Sequence, residues 1–411
     1  MRQGTISTTA FALATFFVLI AGAPIHGEAP HFTVGEPPRI DARAIVVMDY
    51  ANGDILYALD PDETIPPASL TKLMTLHVAL KAVESGRVSL SDIITIRREE
   101  ASPHLPYGSS LMYLQEGMHV PFEDLLRGMA VISGNDAAFT VARVLGGSNE
   151  GFARLMNDEA RALGLGASHF VEPSGLSEEN LTTAREMAIL ARNYLRKHPG
   201  ALAAYNSRLS MEFPRADVMP DGVPPPDIKI LLRNRNGLLF TYEGCDGLKT
   251  GYIDESGFNL VATAERDGTR FIVITMGGTY GPASRERGGA MLLDWAFSTW
   301  KTVRPAIPSL PEVRVWGGAR QRVALNTSED VSFTVPAVYA GYVSVRLEVD
   351  PEASAPVAKG DRMGRLVFTA GDRILRRIDL VASDDAPLGN FLVRIKDAIV
   401  RFFSNLFNPK S

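Results

Sequence analysis

Between Pro66 and Leu80 the chain reads PPASLTKLMTLHVAL, an apolar run with one ion in it. Leu70, Leu73, Met74, Leu76, Val78, Ala79 and Leu80 predict a helix heading into a core. Lys72 sits among them, three residues after Ser69. Burying an ammonium is costly unless it is paired or gives up its proton. Residues i and i+3 share a helix face, so the Lys72 amine can reach the Ser69 hydroxyl. A serine is a poor nucleophile until a base takes its proton. A lysine desolvated by an apolar run can be that base. Taken alone, the pair also fits a surface lysine beside an N-capping serine.

Two further short motifs bear on that choice. Ser133-Gly134-Asn135 interrupts the helical pattern that begins LLRGMAVI. There Ser133 is a candidate proton relay between Lys72 and a leaving group. Asn135 is a candidate holder of the Lys72 amine and of a substrate amide carbonyl. Lys249-Thr250-Gly251, in CDGLKTGYIDESG, puts a cation and a hydroxyl on a strand edge. Lys249 and Thr250 suit a substrate carboxylate, and Gly251 lets a ligand approach the backbone closely. The N–H of Tyr252 can pair with that of Ser69 as an oxyanion hole. The seven histidines show no ligand-spaced cluster, so neither metal nor cofactor is expected. The single cysteine, Cys245, excludes an intrachain disulfide and reads as a small buried apolar residue.

The 411 residues carry a formal net charge of -5, which offers no electrostatic case for nucleic acid. Residues 1–29 read as a secretory leader: Arg2, then AFALATFFVLIA, then small residues, with cleavage after Ala23 or Ala29. Residues 30–304 form one expected domain. ARAIVVMDYANGDILYAL is a hairpin around Asn52-Gly53. Helices fill the middle, including TTAREMAILARNYLRKH. Three strands follow from Cys245, and a helix closes the domain over Ala283–Trp300. An antiparallel sheet joining the two ends is the simplest arrangement. Pro305-Ala306-Ile307-Pro308 is a linker, and residues 305–386 read as a small all-β domain.

The tail, 387–411, is amphipathic. Leu388, Phe391, Leu392, Ile395, Ile399, Phe402, Phe403 and Leu406 fall on one face, with Arg394, Asp397, Arg401, Ser404 and Asn405 opposite. A basic amphipathic helix ending an exported chain suits a membrane interface; packing on its own domain is the other reading.

The three motifs, in this order on helix, loop and strand, resemble those of the low-molecular-mass penicillin-binding proteins, the serine-type D-alanyl-D-alanine carboxypeptidases. PPASLTKLMT, SGNDAA, RNRNGLL, DGLKTGY and VITMGG carry the resemblance over nearly the whole chain. It implies an α/β fold: a serine penicillin-recognising, β-lactamase-like domain with a central antiparallel sheet flanked by helices. A C-terminal all-β domain and the terminal amphipathic helix complete it. It also implies removal of the terminal D-alanine from the peptidoglycan stem pentapeptide, with β-lactams as covalent inhibitors and a periplasmic, membrane-associated location. Ser69 would be the acylated nucleophile and Lys72 its base, with Ser133 and Asn135 lining the pocket. Lys249 and Thr250 would hold the carboxylate, helped by Arg235. Tyr252 and Ser174 stand where histidine is frequent in relatives. Two alternatives stay open. A β-lactamase would need a deacylating glutamate, and Glu172, Glu178 and Glu179 lie in the right region without the E-x-x-L-N setting. A non-catalytic envelope protein would keep the cleft and lose the chemistry.

Overall fold

The computed structural model describes residues 17–21, 35–225 and 227–407. Of the expected leader, only Phe17–Ala21 is among them, paired antiparallel with Val343–Val349; the rest lies outside the described residues. The chain divides into one unit over Gly35–Trp300 and a second from Lys301 onward that includes the N-terminal stretch.

The first unit is built on five antiparallel strands: β1 (Ala44–Asp49), β2 (Ile55–Leu59), β3 (Cys245–Ile253), β4 (Gly257–Arg266) and β5 (Thr269–Gly278). Their order is β2-β1-β5-β4-β3, so the N-terminal hairpin and the three C-terminal strands form one sheet, as expected. Gly53, at φ +84°, makes the hairpin turn, a conformation that asparagine-glycine pairs favour. All six residues of β1 are buried because both faces of the sheet are covered. Val46 and Met48 join the larger core beneath the helices. Ile45 and Val47, pointing the other way, pack with Leu292 and Leu293 of the helix Pro282–Thr299.

The larger core holds α1 (Thr71–Glu84), α2 (Phe122–Val131), α3 (Asn135–Gly146), α4 (Asn149–Ala162) and α5 (Ala184–Lys197). Thr183 caps α5 by accepting from the Glu186 N–H, which places the start where the sequence puts it. α1 is buried on nearly every side, which is why its apolar residues form no single stripe.

Its other buried ionisable group, His77, joins a chain of hydrogen bonds. Nε2 meets Glu159 Oε1 of α4 at 2.9 Å, Nδ1 meets His198 Nε2 at 3.0 Å, and His198 Nδ1 meets Glu84 Oε1 at 2.8 Å. Burial pushes His77 from 6.5 down to about 4. The unfolded chain therefore binds this proton first as pH falls. Stability is expected to decline between pH 6.5 and 4, by at most roughly 1.4 kcal/mol per pH unit from this group. Urea unfolding from pH 7 to 4.5 checks this: His77→Asn should flatten the slope relative to wild type, and parallel slopes would remove His77 as its cause.

In the second unit, Val343–Val349, Arg362–Ala370, Arg373–Ala382 and Leu325–Thr327 form an antiparallel sheet. Val313–Trp316 pairs separately with Arg322–Val323 and Glu352–Ser354. Alternate residues such as Val345, Leu347, Leu366, Phe368, Ile378 and Leu380 close its core. A final helix spans Phe391–Phe407.

Candidate active site

Ser69 lies in a single 3-10 turn, Ala68–Leu70, that leads into α1. It is partly exposed, while Lys72, one turn on, is fully buried. The Lys72 Nζ is 3.0 Å from Ser69 Oγ, 2.6 Å from Asn135 Oδ1 and 2.6 Å from the Ser174 carbonyl oxygen. The last two partners only accept. A neutral amine has two hydrogens and one lone pair. With both hydrogens given to Asn135 and Ser174, the lone pair is left for the Ser69 O–H. Burial lowers Lys72 from 10.5 to about 7, against the upward pull of the Glu172 and Asp136 carboxylates. A working base at neutral pH needs that value.

Asn135 opens α3 directly after the break at Ser133, which adopts φ +66°. Its neighbour Asp136 is fully buried and accepts from Ser102 Oγ and from the N–H groups of Met112, Leu114 and Ala137. Burial raises its carboxyl above the ordinary range. Ser133 is buried, and its Oγ has no hydrogen-bond partner among the described residues. The structure thus brings Asn135 onto Lys72 directly and leaves the Ser133 hydroxyl unengaged.

The third motif runs along β3, at the edge of the sheet. Lys249 and Thr250 are both buried, and Lys249 Nζ donates to the Thr250 carbonyl at 2.8 Å. Burial, then the nearby cations Lys72, Arg285 and Arg235, hold the Lys249 amine well below its ordinary value. A pocket that disfavours its own cations favours an incoming carboxylate. Gly251 also has a packing reason within the protein. A Cβ there would lie 2.8 Å from the Pro67 carbonyl oxygen and 3.1 Å from the Ser69 nitrogen. The close approach is to the turn that carries Ser69, which seats β3 beside it. The Tyr252 phenol is half exposed and donates to Asp254 at 2.6 Å. Arg235 has an exposed side chain, and its N–H donates to the Val131 carbonyl at the end of α2.

Arg285 was not singled out from the sequence. It sits in the first turns of Pro282–Thr299, largely buried, paired with Glu286 at 3.1 Å. Its only local sign, ASRERGG, reads as an exposed charged helix start. Cys245 matches its reading: half-buried, with burial raising the thiol to about 11, it is no nucleophile at neutral pH. Among the described residues no group of His, Cys, Asp and Glu is arranged to hold a metal ion. Glu178 and Glu179 are exposed, and Glu172 has its carboxylate turned onto its own loop, so none presents a free base to Ser69.

Comparison with known proteins agrees with this geometry. Residues 31–279 match the family model of D-alanyl-D-alanine carboxypeptidase, and residues 308–387 match that of the penicillin-binding protein 5 C-terminal domain. The chain belongs to the D-alanyl-D-alanine carboxypeptidase family. It is 34% identical over 382 residues to the D-alanyl-D-alanine carboxypeptidase DacA of Escherichia coli (strain K12), covering 90% of each chain. It is 32% identical over 408 residues to DacA of Haemophilus influenzae, covering 98% of this chain and 99% of that one. Its fold is similar to penicillin binding protein 5 from Haemophilus influenzae, with a TM-score of 0.76 at 33% identity over 86% of this chain and 99% of that one. Penicillin-Binding Protein D2 from Listeria monocytogenes, solved in the cefotaxime-bound form, matches 64% of this chain and 100% of its own at a TM-score of 0.55 and 28% identity. As a D-alanyl-D-alanine carboxypeptidase family member the chain is a serine-type hydrolase, and neither the β-lactamase nor the non-catalytic alternative is favoured.

Proposed function

We propose that this carboxypeptidase removes the terminal D-alanine from the peptidoglycan stem pentapeptide through an acyl-enzyme on Ser69. The observation that carries the residue roles is the contact set of Lys72, which leaves its lone pair to the Ser69 hydroxyl. Ser69 Oγ attacks the D-Ala-D-Ala carbonyl as its proton passes to Lys72 Nζ. The oxyanion rests on the N–H groups of Ser69 and Tyr252. Lys249 and Thr250 hold the terminal carboxylate, with Arg235 adding to the field, and Asn135 steadies both the amine and the substrate amide. The tetrahedral centre collapses, the C–N bond breaks, and the D-alanine nitrogen takes the proton, with the Ser133 hydroxyl as relay. Water then attacks the ester, Lys72 again taking a proton, and Ser69 is restored.

A β-lactam enters the same pathway at its strained amide, acylates Ser69 and leaves slowly. The test is D-alanine release from a pentapeptide analogue, with and without penicillin. Release that penicillin abolishes is expected. No release together with no penicillin labelling would favour the binding-only reading, and fast nitrocefin turnover would favour a β-lactamase.

The same proposal places the enzyme in the periplasm, on the outer face of the cytoplasmic membrane. Among the described residues no helix is long and apolar enough to cross a membrane. The terminal helix instead shows two different faces. Asp397 is buried against its own domain and accepts from the Gly317 N–H at 2.7 Å. Phe391, Leu392, Ile395, Ile399, Phe402 and Phe403 are exposed on the other side. An exposed apolar face beside Arg394, Lys396 and Arg401 suits an anionic lipid surface. Truncation at Asp385 is expected to shift the mature protein from the membrane pellet to the supernatant; a truncated form that still sediments would mean that another segment is the anchor.

A further inference from the structure

The carboxylate of Glu172 is buried in donors from its own loop. Oε2 accepts from the Ser174 N–H and the Ser174 hydroxyl, both at 2.6 Å. Oε1 accepts from the Gly175 N–H at 2.6 Å, Asn180 Nδ2 at 2.8 Å and the Ser177 N–H at 3.4 Å. Four of the five partners are N–H groups that only donate, so an amide in place of this carboxylate would set its own N–H groups against donors.

The loop so folded grips the active site at three points. The Ser174 carbonyl takes one Lys72 hydrogen at 2.6 Å. The Pro173 carbonyl accepts from Thr75 Oγ1, one turn further along α1, at 2.6 Å. Gly175, at φ +82°, presses so closely on the turn before Ser69 that a Cβ there would lie 1.8 Å from the Ala68 carbonyl oxygen. Ser174 thus serves the site through its carbonyl and gives its hydroxyl to Glu172.

Accepting the role of Ser69 and Lys72 given above, we propose that Glu172 is a positioning residue for acylation. Its five hydrogen bonds hold the Ser174 carbonyl on Lys72, and its negative charge is one of those that act on that amine. The charged groups facing the Lys72 amine are Glu172 from the loop, Asp136 from the start of α3 and Lys249 from β3. Both carboxylates favour the ammonium and Lys249 opposes it. Removing the Glu172 charge therefore lowers the proton affinity of Lys72, and removing its acceptors loosens the loop.

The test is the second-order rate of acylation by a fluorescent penicillin, followed from pH 5 to 9.5 on the full mature chain. Glu172→Gln is expected to lower the high-pH plateau about tenfold and to move the rising limb about one pH unit toward acid. Glu172→Asp keeps the charge and shortens the reach, so it should lose rate with the limb unmoved. Glu178→Gln and Glu179→Gln, exposed on the same loop, should match wild type. A Glu172→Gln enzyme with wild-type plateau and limb overturns the proposal. A lower plateau with an unmoved limb also overturns it, reducing Glu172 to a loop-folding residue. If Glu172→Gln fails to fold, Glu172→Asp decides: wild-type acylation by that variant overturns the clamp. A wild type that penicillin does not label at all would sink the reading of Ser69 instead, which keeps the two failures apart.

Discussion

Replacing Ser69 with alanine is expected to abolish both penicillin labelling and D-alanine release while leaving the fold intact. The nucleophile is the one atom that forms the acyl bond, so its loss removes the covalent route rather than slowing it. Catalysis should fall by about 10⁴-fold or more, the scale seen when a serine nucleophile is deleted and only binding and the oxyanion donors remain. Ser69 is partly exposed in a short turn and carries one side-chain hydrogen bond, to Lys72. Melting temperature and near-ultraviolet circular dichroism should therefore match wild type. Mass spectrometry after incubation with a β-lactam checks the bond itself. A penicilloyl adduct on Ser69→Ala would reveal another nucleophile.

The second large effect concerns Lys72. As the base it must be neutral, so wild-type acylation should rise with pH through about 7, where burial has placed this amine. Lys72→Arg keeps a cation that does not deprotonate, and Lys72→Met removes the base. Both should lose acylation rate by about 10²- to 10⁴-fold and lose the rising limb. Stability should respond differently. A folded value near 7 against 10.5 unfolded means that the lysine opposes folding at pH 7, by roughly 5 kcal/mol. The sign is that of any depressed lysine: stability is greatest above the unfolded value and declines as pH falls from 10.5 to 7. Methionine removes that cost but leaves Asn135 Oδ1 and the Ser174 carbonyl without a donor, about 1–3 kcal/mol each. The two effects nearly cancel, so Lys72→Met should melt within a few degrees of wild type while being inactive. An active Lys72→Met, or a wild-type limb far from neutrality, would remove Lys72 as the base.

Much of the scaffold could be read from local rules. Asn52-Gly53 between two apolar runs gives a hairpin because that turn needs positive φ, and Gly53 has it. The helix opening at Ala184 follows from the Thr183 cap, and β3 to β5 follow from their turns at Asp254–Gly257 and Asp267-Gly268. Ser69 and Lys72 could be paired because a helix puts i and i+3 on one face. What could not be read are contacts made through backbone atoms or through unfamiliar side chains. The Ser174 carbonyl has no sequence sign, since every residue has a carbonyl. The close packing of Gly251 on Pro67 and Ser69 has no sequence sign either. Asp397 falls on the polar face of its helix, and only the packed domain shows that it is buried. Arg285 reads as surface charge until its helix is laid on the sheet.

By itself the sequence determined the elements, their order in the chain, and the three motifs whose combination marks the family. Those depend on spacing and turn chemistry, which act over a few residues. Only the tertiary structure decided the surroundings that suit Lys72 to the role of base proposed for it. Its two pure acceptors come from positions 63 and 102 residues away, and together with complete burial they hold the amine ready to take the Ser69 proton. A pKa is a property of surroundings, and these surroundings exist only once the 172–180 loop, the start of α3 and α1 have been folded against one another.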